Sequence, residues 1–151
     1  MTLSVLSDEH FMKQALVEAQ KAYDQDEVPV GAIVVHKNRI IARAHNYTEH
    51  LTDVTAHAEM QAITAAANFI GSKYLVDCDI YVTLEPCLMC AGAIFWARPK
   101  RLIFGAFDAK RGFTLLSDDI LHTKTEMKSG VLSDDCGKIL TQFFQNKRTK
   151  I

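Results

Sequence analysis

Two short clusters, His57-Ala58-Glu59 and Pro86-Cys87-Leu88-Met89-Cys90, constrain this chain more than any bulk property. Residues 60–85, twenty-six in all, lie between them, which is room for the rest of one helix and for one strand. Each cluster stands at an expected helix start. Two such starts separated by a strand can meet at one end of a sheet, where ligands collect in open α/β folds. Cysteines three apart on a helix direct their sulfurs the same way. With His57 as a third ligand, one tetrahedral position stays open. Three protein ligands plus water is the arrangement of catalytic zinc, whereas structural zinc is closed by four. Two thiolates and an imidazole also favour zinc over harder cations.

Two thiolates nearly neutralise a zinc ion and weaken it as a Lewis acid. Sulfurs in the first turn of a helix offset this, because free N–H groups and the positive dipole end stabilise thiolate charge. Such a metal can still lower the pKa of a coordinated water. Glu59, two residues beyond His57, faces a different side of its helix than a second ligand would need. It is better placed to accept the water's proton and return it to a leaving group. Taken alone, each residue has a plainer explanation: a structural histidine, a solvated glutamate, a redox dithiol, half of a zinc ribbon. The dithiol lacks a thioredoxin-like Trp-Cys-Gly-Pro-Cys setting. The ribbon lacks a second close cysteine pair, since Cys78 and Cys136 stand far apart. Those two are expected to be buried free thiols.

Periodicity sets the frame around these clusters. Ser7 is a predicted N-cap, with Asp8 and Glu9 behind it, for an amphipathic helix to about Gln25. Val30 to His36 and Arg39 to His45 form a predicted hairpin. A polar stretch, Asn46 to Thr55, leads into a helix from about His57 to Asn68, ended by Gly71. Asp79 to Leu84 is a predicted buried strand. Pro86 is expected to open a helix that runs to about Ala97 and is stopped by Pro99. A strand follows over Arg101 to Gly105. Phe107 to Lys124 has no clear period, and a loop that long is more often functional than filler. A short strand over Thr125 to Met127 and a helix from Ser133 to Arg148 complete the chain. The order predicts an α/β fold, a three-layer α/β/α sandwich with a mixed sheet of about five strands, in a single domain over residues 1–151.

Bulk properties exclude more than they assign. At 151 residues and 48% apolar content the chain can bury a core without disulfides. No apolar run approaches the roughly 20 residues needed to span a bilayer. Met1 to Ser7 has no basic n-region or cleavage site, so the expected location is cytoplasmic, with no membrane partner. A formal net charge of −1 carries no nucleic-acid signature.

The His57-Ala58-Glu59 and Pro86-Cys87-x-x-Cys90 pair resembles the signature of the zinc nucleobase deaminases. Within that superfamily, of cytidine deaminase-like fold, the chain is similar to the bacterial tRNA-specific adenosine deaminases. The similarity runs through Val28-Pro29-Val30-Gly31-Ala32, Asn46, Asp53 to Glu59, Tyr81 to Cys87, Phe104-Gly105-Ala106 and Asp108-Ala109-Lys110. It implies one zinc ion per subunit on His57, Cys87 and Cys90, with Glu59 as proton carrier. It also implies a homodimer whose active sites are each completed by the partner subunit. Asn46 would hold a base flipped from the tRNA anticodon loop, and Asp108 would lie near the target ribose or its neighbour. Activated water would attack C6 of adenine while Glu59 protonates N1, and ammonia would leave inosine behind.

The ending Phe143-Phe144, then Lys147, Arg148 and Lys150, is similar to the Phe-Phe-basic ending of the tRNA enzymes, which makes Phe144 and Arg148 candidate RNA contacts. A core aromatic pair with a solvated basic helix end accounts for it equally well. Arg98, Lys100, Arg101, Lys110 and Arg111 could extend a basic surface for phosphates, although five cations on a near-neutral chain are also an ordinary surface. The loop after Lys110 looks shorter than in the tRNA enzymes. Trp96-Ala97-Arg98-Pro99-Lys100 resembles bacterial guanine deaminases, although Trp96 also suits a dimer interface. The alternatives are therefore a guanine or cytosine deaminase acting on a small free base or nucleoside, and a zinc-stabilised RNA-binding module without catalysis. Glu59 speaks against the second.

Overall fold

The structure is a computed structural model that describes residues 6–149. Helix α1 (Asp8–Asp24) begins where Ser7 Oγ accepts a hydrogen bond from the His10 N–H at 3.2 Å. Its buried stripe of Phe11, Met12, Ala15, Ala19 and Ala22 recurs at helical spacing. Strands β1 (Gly31–His36) and β2 (Arg39–His45) form the hairpin. Lys37 and Asn38 both take left-handed backbone, φ 52° and 63°, the turn whose twist matches a two-residue hairpin.

The polar stretch after β2 is not plain loop: it contains the short helix α2 (Thr48–Leu51). The buried Glu27 carboxylate holds it, accepting the N–H groups of Glu49 and His50 at 3.1 and 2.8 Å. This support comes from 22 positions upstream of Glu49, so local pattern does not show it. Helix α3 (Ala58–Ile70) ends at Gly71 in left-handed conformation, as expected. Strand β3 (Cys78–Leu84) leads to α4 (Leu88–Ala97). Arg98, at φ 55°, already closes α4 before Pro99 is reached. Strand β4 (Arg101–Ala106), a 3-10 turn at Phe113–Leu115, strand β5 (Glu126–Lys128) and helix α5 (Ser133–Thr149) follow.

The five strands lie in the order β2-β1-β3-β4-β5. β1 runs antiparallel to both β2 and β3, and β3, β4 and β5 are mutually parallel neighbours. The central strands are buried on both faces, which is why they read as unbroken apolar runs. Ala32, Val34, Ile80, Val82, Leu102 and Phe104 pack toward α3 and α4. The intervening Ile33, Val35, Tyr81 and Ile103 pack with Phe11, Met12 and Cys136 of α1 and α5. The mixed sheet thus lies between two helical layers, as predicted. Gly31 lets α1 sit against β1, since a Cβ there would collide with the Ala15 carbonyl oxygen and the Ala19 nitrogen. Cys78 and Cys136 are buried free thiols.

Candidate active site

The topology sends three segments to one edge of the sheet. β2, β3 and β4 all end there, so Asn46, Glu85-Pro86-Cys87 and Asp108 emerge side by side. This is the carboxyl edge of a parallel strand pair, where α/β folds place their ligands. His57 and Cys87 each occupy the N-cap, with extended backbone at ψ 156° and 175°. Pro86 therefore does not open α4. It precedes the cap, and Cys87 uses the cap position to turn its sulfur toward α3.

His57 Nδ1 stands 3.7 Å from Cys87 Sγ and 3.4 Å from Cys90 Sγ. One donor atom from each of the three residues falls within a 4.8 Å span. The three donors compete for protons. Contacts from Cys90 and His57 bring the Cys87 thiol down to about 4, and the same Cys87 contact, with burial and Glu59, pushes Cys90 well above the usual thiol range. His57 is raised, mainly by its contact with Cys87. Two sulfurs this close can both be thiolates only around a cation, and a dication with two sulfur ligands and one nitrogen suits them. Zinc fits these residues.

Glu59 is 4% exposed, and burial pushes its carboxyl up to about 7. Beside the cluster opens a cavity of about 310 Å³ walled by Val28, Val30 and Leu84 and by the polar groups of Asn46, Glu59, Asp108 and Arg111. Asn46 is buried, its backbone N–H donating to the Val30 carbonyl at 3.0 Å, while its side-chain Oδ1 is buried without a partner. Asp108 reaches the rim with Oδ1 accepting the N–H groups of Lys110 and Arg111 at 3.0 and 3.1 Å.

Sequence reasoning passed over Glu85. It is buried, and its carboxylate accepts the Asp108 N–H at 3.0 Å, the Thr114 N–H at 2.9 Å and the Thr114 hydroxyl at 2.6 Å. Its partners lie 23 and 29 positions away, beyond any local pattern. The loop it holds also pairs Gly112 with Cys87 and donates the Phe113 N–H to the Pro86 carbonyl at 3.0 Å.

The structure does not bring every candidate to the zinc cluster. Phe144 lines a second cavity of about 660 Å³, which shares Val28 and Thr48 with the first and is otherwise bordered by Glu27, His50, Phe143 and Lys147. Lys147 is paired with Asp26 at 2.7 Å. Arg148 is exposed and borders neither cavity. Lys150 lies outside the described residues.

The family of cytidine and deoxycytidylate deaminase zinc-binding regions matches residues 6–106. A tRNA-specific adenosine deaminase from Agrobacterium fabrum is 46% identical over 144 residues, covering 92% of this chain and 95% of that protein. The chain belongs to the tRNA-specific adenosine deaminase family. A solved tRNA:A34 deaminase structure, from work on A-to-I editing at the wobble position of transfer RNA, superposes on this deaminase with a TM-score of 0.80. It shares 44% identity and covers 87% of this chain and 99% of its own. A guanine deaminase structure from Bacillus subtilis is more distant, with 30% identity, a TM-score of 0.66 and coverage of 93% and 94%. The deaminase is thus a hydrolytic nucleobase deaminase with zinc as its cofactor.

Proposed function

We propose that this deaminase converts adenosine to inosine at the wobble position of a tRNA, with His57, Cys87 and Cys90 as the zinc ligands. Family membership at 46% identity over nearly the whole chain carries the substrate class. Guanine deaminase, at 30%, is the weaker match. The observation that carries the site is the buried carboxamide of Asn46, left with an unpartnered oxygen on the wall beside the zinc ligands. Buried polar groups are normally satisfied, and a base edge drawn into the cavity satisfies this one.

Bound zinc supplies a Lewis acid that activates water for attack on C6 of adenine. Glu59 takes the proton released by that water and delivers it to N1. It then carries the proton of the new C6 hydroxyl to the exocyclic nitrogen, so that the C6–N6 bond breaks as C6=O forms and ammonia departs. Adenosine plus water becomes inosine plus ammonia. Asn46 orients the base, Val28, Val30 and Leu84 hold its apolar surface, and Asp108 stands where the ribose enters. The cavity takes one base, so the nucleotide must leave its stack, which is least costly in an unpaired anticodon loop. Phe144 and Arg148 contact RNA outside the base cavity in this scheme.

The same family supports a homodimer in which the partner completes the site. Helix α4 carries no charged residue, and its Leu88, Met89 and Trp96 are 53%, 37% and 67% exposed. An apolar outer face of that kind suits burial against another subunit. Among the described residues no helix is long and apolar enough to cross a membrane, and action on tRNA fits a cytoplasmic location.

The test is to incubate zinc-loaded protein with an adenosine-34 tRNA and, separately, with guanine, cytosine and free adenosine, measuring ammonia and inosine. Inosine at position 34 is the expected product. Turnover of guanine with an untouched tRNA refutes the assignment, and no turnover on any substrate favours a binding module.

A further inference from the structure

The loop after β4 is held by a carboxylate that the proton transfers above do not use. Both oxygens of Glu85 accept from this loop, one from the Asp108 N–H and the other from the Thr114 N–H and hydroxyl. Gly112 lies so close over them that a Cβ at this position would collide with the carboxylate. Glu85 is 2% exposed, and among the described residues its partners are loop donors rather than a cation. Buried carboxylates are ordinarily paired with a cation or fully hydrogen-bonded. Here the loop supplies those bonds, so the carboxylate and the loop conformation depend on each other.

Arg111 sits in that loop and, among the described residues, is the one lysine or arginine on the cavity wall. Its backbone N–H donates to Asp108 Oδ1, and among the described residues its guanidinium forms no ion pair. The other charged groups around it on the wall include the carboxyls of Glu59, Glu85 and Asp108. That is the wrong sign for a substrate whose nucleotides carry phosphates. We propose that Glu85 is a positioning residue, fixing the loop so that Arg111 binds a phosphate beside the nucleotide being deaminated. This rests on the RNA substrate proposed above.

The experiment is a double-variant cycle on the zinc-loaded full chain, reading the Kd for an adenosine-34 stem–loop across a salt series. Arg111→Ala should weaken binding about three- to tenfold and flatten the slope of log Kd against log salt by about 0.7, one phosphate contact on a single strand. Glu85→Gln places an amide donor against N–H donors and should reproduce both changes. The double variant should bind no more weakly than Arg111→Ala alone. Losses that multiply in the double variant, or weaker binding by Glu85→Gln at an unchanged slope, overturn the proposal. Where Glu85→Gln loses zinc or melts early, Thr114→Val removes one hydroxyl donor and is held to the same two criteria. Inosine formation by the unsubstituted protein is scored separately. A cycle that behaves as expected without inosine refutes the deaminase substrate and leaves the positioning role standing; inosine with multiplying losses does the reverse.

Discussion

His57 Nδ1 lies 3.4 Å from Cys90 Sγ across 33 positions of chain. A metal on these atoms ties the start of α3 to the start of α4, so zinc should stabilise the fold as well as serve the chemistry. With free zinc at 100 times its Kd, linkage contributes about 2.7 kcal/mol. Chelation should therefore lower the melting temperature, and His57→Ala or Cys87→Ala should lose both the bound zinc and the chelator effect. Zinc content and melting curves with and without chelator check this, and a chelator-insensitive melt in the intact protein would count against it.

Glu59→Gln should keep zinc and fold normally while turnover falls by about 10²–10⁴, the usual share of a positioned proton carrier. Metal content and single-turnover inosine formation are the two measurements.

Asn46→Ala separates binding from stability. Its side chain has a buried oxygen without a partner in the free protein, so truncation should leave the melting temperature unchanged or slightly raised. The same change should weaken transition-state binding by about 1–3 kcal/mol, because a base would lose its buried partner. A large drop in melting temperature would show instead that the amide is structural.

Asp8 governs acid stability at the far end of the sheet. Burial opposes its ionisation, but hydrogen bonds from Arg101, Lys128 and Tyr81 outweigh that and hold it well below the usual carboxylate range. A group whose folded pKa is depressed contributes its full stabilisation above its unfolded value, about 3.9, and loses it as pH falls through the folded value. Asp8→Asn should cost roughly 2 kcal/mol at pH 7, from weakened charged hydrogen bonds. The stability of the variant should fall less steeply than the parent's below about pH 4. Urea midpoints at pH 7 and pH 3 test both statements.

The meeting of His57, Cys87 and Cys90 as a donor set that zinc fits, beside a cavity lined by buried Glu59, was legible because the residue types and spacing are local, two clusters each spanning a few residues. The strands and long helices were legible for a similar reason, since Ile33 and Tyr81 alternate with neighbours facing the opposite layer. What local pattern missed is held from a distance. Helix α2 rests on Glu27, and the loop after β4 rests on Glu85. A glutamate in an apolar context reads the same whether it is solvated or buried among N–H donors. The start of α4 was misplaced because proline suits both a first helical turn and the residue before a cap, and only the backbone of Cys87 decides between them.

The helix caps at His57 and Cys87 belong to the layered frame, whereas Asp108 and Arg111 stand in a loop held to that frame by Glu85. Such a division of labour lets heredity rework what is recognised without disturbing what reacts. Lineages that diverged at the rim could trade one base for another while inheriting the same hydrolytic engine, which gives a physical reason why a guanine deaminase at 30% identity keeps this architecture.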